Sequence, residues 1–289
     1  MIALLVRWLS IVLVFSFLLT SNGWAHAPQE DPVQFHAIYL AMVRKIPPQD
    51  MAFIRAGEFM MGCLEAPGNC HPDNVYKRLV YLDDYFIDVY EVTNGQYAKC
   101  VADGGCTPPS SNASNAHASY YDHPVFINYP VLFAAWDDAK NYCLWAGKRL
   151  PTEAEWEKAA RGTLDMRLYP WGDQHPDCSM ANGFNIWTWE YCTDDTTQVG
   201  SYPLGASPYE VLDMSGNIAE WVNDWYQIDY YANSPNTNPP GPLTGTEKIL
   251  RGGGWFTDFT TLQLSDRWPQ NPDVIYNWAG FRCAFSPGG

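Results

Sequence analysis

Asp213 and Glu220 are the residues whose types and spacing indicate chemistry most directly. They are carboxylates at the two ends of one short segment, and Gly216 between them lets the chain fold back on itself. Calcium and other hard cations prefer oxygen ligands of this kind. The segment therefore predicts a cation site, and the alternative is that both residues are ordinary solvated loop carboxylates.

A second group of charged residues lies just before and within a predicted helix. It consists of Lys148, Arg149, Glu153, Glu155 and Glu157. These side chains resemble catalytic acids and bases, but we interpret them as a buried ion-pair lattice that fixes the helix against nearby loops. We expect Arg251, Arg267 and Arg282 to bind carbonyls and carboxylates, as arginines beside glycine-rich strands commonly do. No serine elbow or Cys–His pair indicates a nucleophile.

Four sequence blocks carry a family resemblance. In chain order they are GKRLPTEAEW at 147–156, DMSGNIAEW at 213–221, RGGGW at 251–255 and GFRC at 280–283. From about Met51 to Ser286 the chain resembles the formylglycine-generating enzyme, or sulfatase-modifying factor, family. This resemblance implies an α+β, C-type-lectin-like fold with little regular secondary structure, braced by disulfides.

The same resemblance implies calcium ligands. At a first site, Asp213 and Glu220 would bind calcium through their side chains, and Gly216 and Ile218 through their carbonyls. The family usually has Asn where Asp213 stands, and the added charge should strengthen a cation site. A second site, carried over less directly, would use residues from a loop about 20 to 30 positions earlier. Its ligands would be Asn182, Gly183 and either Asp194 or Asp195.

The family's copper oxidases hold Cu(I) with two cysteines that follow the Arg-Gly-Gly block, because this soft ion prefers thiolates. Here Thr257 stands at the first position, Leu262 lies near the second, and Gly254 replaces the usual Ser. A hydroxyl and an alkyl chain cannot replace two thiolates. We therefore expect no copper and no oxidation of cysteine, although the family leaves enzymatic activity open.

The first 27 residues predict a signal peptide. Arg7 precedes an apolar run from Trp8 to Leu19, and a small-x-small cleavage site ends at Ala27. An uncleaved anchor is the alternative, but the run is shorter than the roughly 20 residues that span a bilayer. After cleavage we expect a secreted, periplasmic or cell-surface protein without a transmembrane anchor. Residues 28–50 would be a lead-in with a helix at 38–43, and residues 51–289 one domain.

The formal net charge of −15 argues against nucleic acid as a partner, because phosphate binding needs clustered Lys and Arg. Eight cysteines in an exported chain predict disulfides, although the count alone allows 105 pairings. Three local pairs stand out by their short loops, namely Cys63–Cys70, Cys100–Cys106 and Cys178–Cys192. The family resemblance implies the fourth, Cys143–Cys283. The sequence has no Cys-x-x-Cys pair, so it does not favour a zinc site.

Local patterns predict the elements that would position these residues. Val80–Val89 reads as a strand, and Thr93 caps a helix that stops at Gly104 and Gly105. A second helix is predicted from Asp137 to Ala146. A third begins at the capping box of Thr152 and Glu155 and ends near Gly162. Short strands are predicted at 249–250 and 281–285.

Thirteen tryptophans exceed what an average composition requires. Those inside the family blocks, Trp145, Trp156, Trp221, Trp225 and Trp255, are expected to be core residues. Trp187, Trp189, Trp268 and Trp278 lie in polar segments and are candidates for a binding cleft. The loop 254–279 would form a binding rim that includes Trp255, Thr257, Asp258, Arg267, Trp268 and Trp278.

We therefore expect a calcium-stabilised domain that binds a peptide, a glycan or a protein. One alternative is an oxidoreductase of the same family that uses another metal or chemistry. Another is a structural surface protein that self-assembles through its aromatic residues.

Overall fold

The computed structural model describes residues 50–63, 73–74, 76–164 and 166–287. The predicted signal peptide, the lead-in with its helix up to residue 49, and Cys70 lie outside these residues. Within them, no helix has both the length and the apolar character needed to cross a membrane.

Two antiparallel strand pairs open the fold. Strands β1 (Met51–Ile54) and β4 (Tyr85–Asp88) pair with each other, and β2 (Gly57–Met61) pairs with β3 (Arg78–Leu82). The single strand predicted from Val80 to Val89 is therefore two strands. They separate at residues 83–84 because each half bonds a different partner strand.

Three helices of nine or ten residues follow, α1 (Asn94–Ala102), α2 (Trp136–Trp145) and α3 (Glu153–Arg161). The predicted caps are confirmed, since Thr93 forms a capping box with Gln96 and Thr152 forms one with Glu155. In each box, two side chains satisfy backbone N–H groups that the helix leaves unpaired. A short helix α4 (Tyr230–Asn233) and 3₁₀ turns at Pro124–Phe126, Pro203–Gly205 and Phe259–Thr261 complete the helical elements of the described residues.

The second half of the chain contributes a four-stranded sheet. Its strands are β7 (Ala219–Trp225), β8 (Lys248–Arg251), β9 (Trp268–Gln270) and β10 (Ala279–Gly280), in the order β10-β7-β8-β9. The last strand, β11 (Ala284–Phe285), instead pairs with β4 in the first sheet. A small hairpin is formed by β5 (Phe184–Asn185) and β6 (Glu190–Tyr191). The chain end thus joins the first and second halves of the domain.

Three disulfides are confirmed, Cys100–Cys106, Cys143–Cys283 and Cys178–Cys192. The long-range bond joins α2 to the segment just before β11, across 140 residues of sequence. Cys63 is also disulfide-bonded, but the predicted partner Cys70 lies outside the described residues. No described cysteine is free.

The predicted ion-pair lattice is present around α3, and two of its three arginines come from distant parts of the chain. Glu153 accepts from Arg251 and Arg267, and Glu157 accepts from Arg251 and Arg161. These five side chains are all buried. The lattice ties α3 to β8 and to the segment before β9.

Glu155, which lies between Glu153 and Glu157 in α3, has a partner that is nearer in sequence. Glu155 binds Arg149, and Lys148 binds Asp88.

Trp156, Trp221 and Trp255 are buried as predicted, but Trp225 is only partly buried. Trp145 is 37% exposed, so its assignment to the core is wrong.

Candidate functional site

The carboxylate of Glu220 is bound by Arg282. Nε and Nη2 of Arg282 donate to its two oxygens at 2.6 Å each, and Nε1 of Trp156 donates to Oε2 at 2.9 Å. All three side chains are completely buried. The calcium-ligand role of Glu220 stays a prediction, and in this structure its oxygens accept charge-assisted and indole hydrogen bonds.

Asp213 has a different carboxyl neighbour, Glu91. The Asp213 carboxyl group is within hydrogen-bonding reach of the Glu91 carboxyl, and its Oδ2 accepts from the backbone N–H of Gly200 at 2.6 Å. Oε1 of Glu91 accepts from Asn217 Nδ2 at 2.9 Å, whereas Oε2 has no protein partner. Glu91 is only 1% exposed. A buried carboxylate oxygen without a partner marks a position where a cation or a proton is required.

The electrostatics of this cluster agree with that requirement. Burial raises the pKa of Glu91 well above its ordinary value, and the charge of Asp213 raises it further. Burial also raises the pKa of Asp213, although the Gly200 hydrogen bond and Arg282 oppose that rise. Three carboxylates face one guanidinium here, so the cluster takes up either protons or a cation to limit its negative charge.

The donor set fits calcium only in part. Asp213 and Glu91 provide carboxylate oxygens, and Gly216 and Ile218 are close in sequence and could add carbonyls. Among the residues that the structure covers, no three His, Cys, Asp or Glu side chains are arranged to hold a metal. A cation at this point would therefore depend on two carboxylates and backbone oxygens, a mixed set that calcium accepts.

Gly216 has a structural reason for its identity. Its φ is +88°, and a Cβ atom there would lie 2.4 Å from the carbonyl oxygen of Asn182. Any side chain would push this turn away from the neighbouring loop. The glycine between Asp213 and Glu220 thus permits close backbone approach, as the sequence indicated.

The second predicted calcium set does not form an open oxygen cage. Oδ2 of Asp195 accepts from Ser114 and from the Ala116 N–H, and Oδ1 accepts from the Thr196 N–H. Asn182 binds the Asp195 carbonyl through Nδ2. These contacts fix the loop through the side chain of Asp195, whose role as a calcium ligand stays a prediction.

The two remaining members of that set are also engaged through their backbones. The Gly183 carbonyl accepts from the Cys192 N–H at 3.0 Å, and the Asp194 carbonyl accepts from Asn115 Nδ2 at 2.8 Å. The Asp194 side chain lies at the surface. The structure thus brings Asn182 and Asp195 together, but as partners of each other.

A surface pocket of about 420 Å³ reaches Glu91 from the outside. Its polar wall includes Asp88, Lys99 and Lys148, and residues 127–128 and 198–199 close it. Glu91 lines this pocket, so the pocket lies beside the buried carboxyl group of Glu91. No sequence signal marked Glu91 as a site residue. Only its contact with Asn217, which lies 126 residues later, reveals its place in the site.

The positions of the missing copper ligands are filled by packed side chains. Oγ1 of Thr257 accepts from the Gly254 N–H at 2.9 Å, and Thr257 is buried. Leu262 is completely buried and packs in a cluster with Tyr169, Ala181 and Phe259. Neither position presents sulfur to a metal.

The predicted binding rim is only partly at the surface. Thr257 and Arg267 are buried, and Arg267 is bound to Glu153, so neither belongs to an exposed rim. Trp255 is 8% exposed, whereas Asp258, Trp268 and Trp278 are partly exposed. Arg267 belongs to the lattice because its guanidinium lies between α3 and the ring of Tyr231.

Aromatic rings nevertheless form a continuous cluster in this loop. The aromatic cluster, as we call it, consists of Trp255, Phe256, Trp268, Tyr276 and Trp278. Phe256 lies 5.3 Å from Trp278 and 5.7 Å from Trp255, measured between ring centroids, and Tyr276 lies 4.4 Å from Trp278. Tyr191 of the β5–β6 hairpin continues the series, 5.8 Å from Trp255.

The comparisons with known proteins agree with this architecture. A sulfatase-modifying factor enzyme 1-like domain matches residues 40–287. The chain is 31% identical over 286 residues to the formylglycine-generating enzyme of Bos taurus, covering 83% of this chain and 76% of the relative. It is 35% identical over 247 residues to the serine/threonine-protein kinase pkn1 of Chlamydia caviae, covering 81% of this chain.

The chain spans only 38% of the length of that Chlamydia relative. Among solved structures, PvdO from Pseudomonas aeruginosa is similar with a TM-score of 0.67 and 25% identity, covering 83% of this chain and 96% of PvdO. The matched residues contain all four sequence blocks and the α+β architecture described above. The chain therefore belongs to the sulfatase-modifying factor, or formylglycine-generating enzyme, family.

Proposed function

We propose that this protein is an exported, calcium-stabilised member of the family that binds a peptide, glycan or protein partner and does not oxidise cysteine. The observation that carries the proposal is the packing of Thr257 and Leu262. A site that held Cu(I) would need two thiolates, and these positions present a hydrogen-bonded hydroxyl and a buried alkyl chain.

A binding role is supported by the aromatic cluster and the hairpin beside it. Aromatic side chains are enriched where proteins bind partners, since each ring contributes a large contact area at a low entropic cost. Trp268, Tyr276 and Trp278 are partly exposed in this structure, and Nε1 of the buried Trp255 has no protein partner. An indole N–H without a partner favours a ligand atom that accepts a hydrogen bond.

Export is supported by the disulfides. The three bonds in the described residues join cysteines with Cα separations of 5.3 to 5.6 Å, within the range for such bonds. Bonds of this kind persist in oxidising compartments. Calcium, which is plentiful outside cells, would offset the charge of the buried carboxyl groups of Glu91 and Asp213.

The absence of cysteine oxidation is tested with purified mature protein and a sulfatase-type cysteine peptide, with copper supplied. Mass spectrometry should find no aldehyde above an enzyme-free control. The matched variant Thr257→Cys, Leu262→Cys restores sulfur at both positions and serves as a comparison. Aldehyde formed by the wild-type protein would overturn the proposal.

Elemental analysis of the same preparation tests the metal. Calcium alone in stoichiometric amount would support a binding protein stabilised by that ion. Tightly bound copper or iron would instead favour the alternative of an oxidoreductase that uses another chemistry.

A further inference from the structure

The β5–β6 hairpin carries the most exposed tryptophans of the described residues. Trp187 is 59% exposed and Trp189 is 77% exposed, and Ile186 and Tyr191 beside them are also exposed. Tryptophan side chains usually bury a large apolar area in proteins, so an exposed tryptophan commonly has a functional reason. Four exposed apolar side chains therefore lie within six residues of the chain.

The hairpin is held in one conformation before any partner arrives. Cys192 follows β6 and is bonded to Cys178, which anchors its base. Oδ1 of Asn185 accepts from the N–H groups of Trp187 and Thr188, and its carbonyl accepts from the Trp189 N–H at 2.8 Å. A fixed loop loses little conformational entropy on binding, so its exposed rings are available at low cost.

The hairpin is continuous with the aromatic cluster. The Phe184 N–H donates to the Thr257 carbonyl at 2.9 Å, and the Tyr191 ring lies 5.8 Å from that of Trp255. Phe184 also contacts Trp189, with the ring centroids 6.0 Å apart. Contacting rings therefore run from Trp189 of the hairpin to the buried Trp255, in the loop that stands in place of the copper site.

The surface charge of this half of the chain is mainly negative. Residues 168–289 include fourteen Asp and Glu and only four Lys and Arg. The four cations, Lys248, Arg251, Arg267 and Arg282, are at most 7% exposed. Ten of the fourteen acids are at least partly exposed, namely Asp173, Asp177, Glu190, Asp194, Glu210, Asp229, Glu247, Asp258, Asp266 and Asp273.

Three of these acids are close in sequence to the exposed rings. Glu190, the first residue of β6, stands between Trp189 and Tyr191 in the chain. The Trp187 ring contacts His175 with the centroids 4.3 Å apart, and Asp173 and Asp177 flank that histidine in sequence. Carboxylates around an aromatic patch attract cations, and indole faces bind the same groups by cation–π interaction.

We propose that the β5–β6 hairpin docks a basic polypeptide segment, with Lys or Arg side chains laid over Trp187 and Trp189 and paired with the surrounding carboxylates. This inference rests on the proposed partner-binding function and specifies its location and the chemistry of the partner. Charge complementarity selects this occupant, since an acidic polypeptide or an anionic membrane would be repelled by a surface on which exposed carboxylates far outnumber exposed cations. A neutral glycan would use the rings but gain nothing from the carboxylates.

The test measures binding of labelled peptides to the intact, disulfide-bonded protein. The probes are a short Lys- and Arg-rich peptide, the same peptide with Glu at every basic position, and a panel of neutral oligosaccharides. We expect the basic probe to bind, with an affinity that falls as salt rises, and the Glu probe not to bind. The double variant Trp187→Ala, Trp189→Ala should lose about tenfold or more in affinity, as hot-spot aromatics do.

Two further variants make the result specific. Glu190→Gln keeps the hairpin shape and should weaken the salt dependence. Trp145→Ala removes an exposed tryptophan from α2 and should leave binding unchanged. Because Trp187 and Trp189 are exposed, their removal should not lower the melting temperature, which is checked for each variant.

The outcomes separate this inference from the proposed function. If neutral oligosaccharides bind through Trp187 and Trp189, the protein is a binder but the basic partner is refuted. Basic-probe binding that survives the double variant refutes the hairpin as the docking surface. If no probe binds, or if the hairpin instead joins two copies of the chain in sedimentation, the inference is overturned, while the copper assay still decides the proposed loss of oxidation.

Discussion

Arg282 forms a bidentate ion pair with Glu220, both side chains being completely buried, with two N–O distances of 2.6 Å. The same guanidinium donates to the carbonyls of Asp88, Val89 and Leu212 at 2.9 to 3.1 Å. It thereby joins β7, the end of β4 and the turn before Asp213. This one side chain connects the first sheet, the second sheet and the candidate cation site.

Glu220→Gln should destabilise the protein by about 3 to 5 kcal/mol, because it leaves the buried charge of Arg282 without its counter-ion. Urea unfolding monitored by circular dichroism measures this loss. The loss should be the same with calcium and with a chelator, since the carboxylate serves Arg282. Glu210→Gln, which changes an exposed carboxylate, is the control. A loss that appears only when calcium is present would show that Glu220 acts as a calcium ligand.

Chelation should lower the melting temperature, and calcium should restore it better than magnesium does. A ligand at about 100 times its dissociation constant stabilises the native state by about 2.7 kcal/mol, which shifts the midpoint by several degrees. Glu91→Gln and Asp213→Asn should each reduce the calcium-dependent shift, because Glu91 provides the unpaired buried oxygen and Asp213 is its carboxyl neighbour. Differential scanning calorimetry measures these shifts in melting temperature. An unchanged midpoint on chelation, with no metal copurified, would exclude the site.

Removing the Cys143–Cys283 disulfide should cost more than removing Cys100–Cys106. The first bond spans 140 residues and the second spans 6. Chain-entropy estimates give about 5 kcal/mol for the long loop and about 2 to 3 kcal/mol for the short one. Paired Cys→Ser variants of each bond, compared by urea unfolding, measure the difference. Equal losses would show that strain or residual structure outweighs loop length.

Asp224→Asn should stabilise the protein increasingly as the pH rises from about 4 to about 7. Burial, and next the charge of Glu153, raises the pKa of Asp224 to about 8 in the folded state. The folded protein therefore binds a proton that the unfolded chain releases above about pH 4, so this residue's contribution to stability falls as pH increases toward its folded pKa.

The slope of this difference is at most about 1.4 kcal/mol per pH unit. Asn keeps an oxygen that can accept the hydrogen bond from the Glu153 N–H, which is 2.8 Å long in the wild type, and it removes the titration. Lys248 has a pKa lowered to about 8 by burial and stays charged below pH 7. Urea unfolding at several pH values compares the two proteins. A difference that does not change with pH would show that Asp224 titrates normally.

Local sequence signals determined a large part of the fold. The capping residues Thr93 and Thr152 fixed where α1 and α3 begin, because a cap satisfies backbone groups within three residues of itself. The sequence blocks identified the family, and the short cysteine loops identified local disulfides. These features depend on neighbours in the chain, so they can be recognised without knowing the tertiary structure.

The tertiary structure decided which charges meet. Glu220 and Asp213 are close in sequence, yet Glu220 pairs with Arg282 and Asp213 with Glu91, 122 positions earlier. Likewise, Arg267 was expected at an exposed rim and lies buried against Glu153, while the hairpin holds Trp187 and Trp189 in solvent. Such outcomes depend on how distant strands and loops pack, because burial makes an unpaired charge so costly that the nearest partner in space prevails over the nearest in sequence.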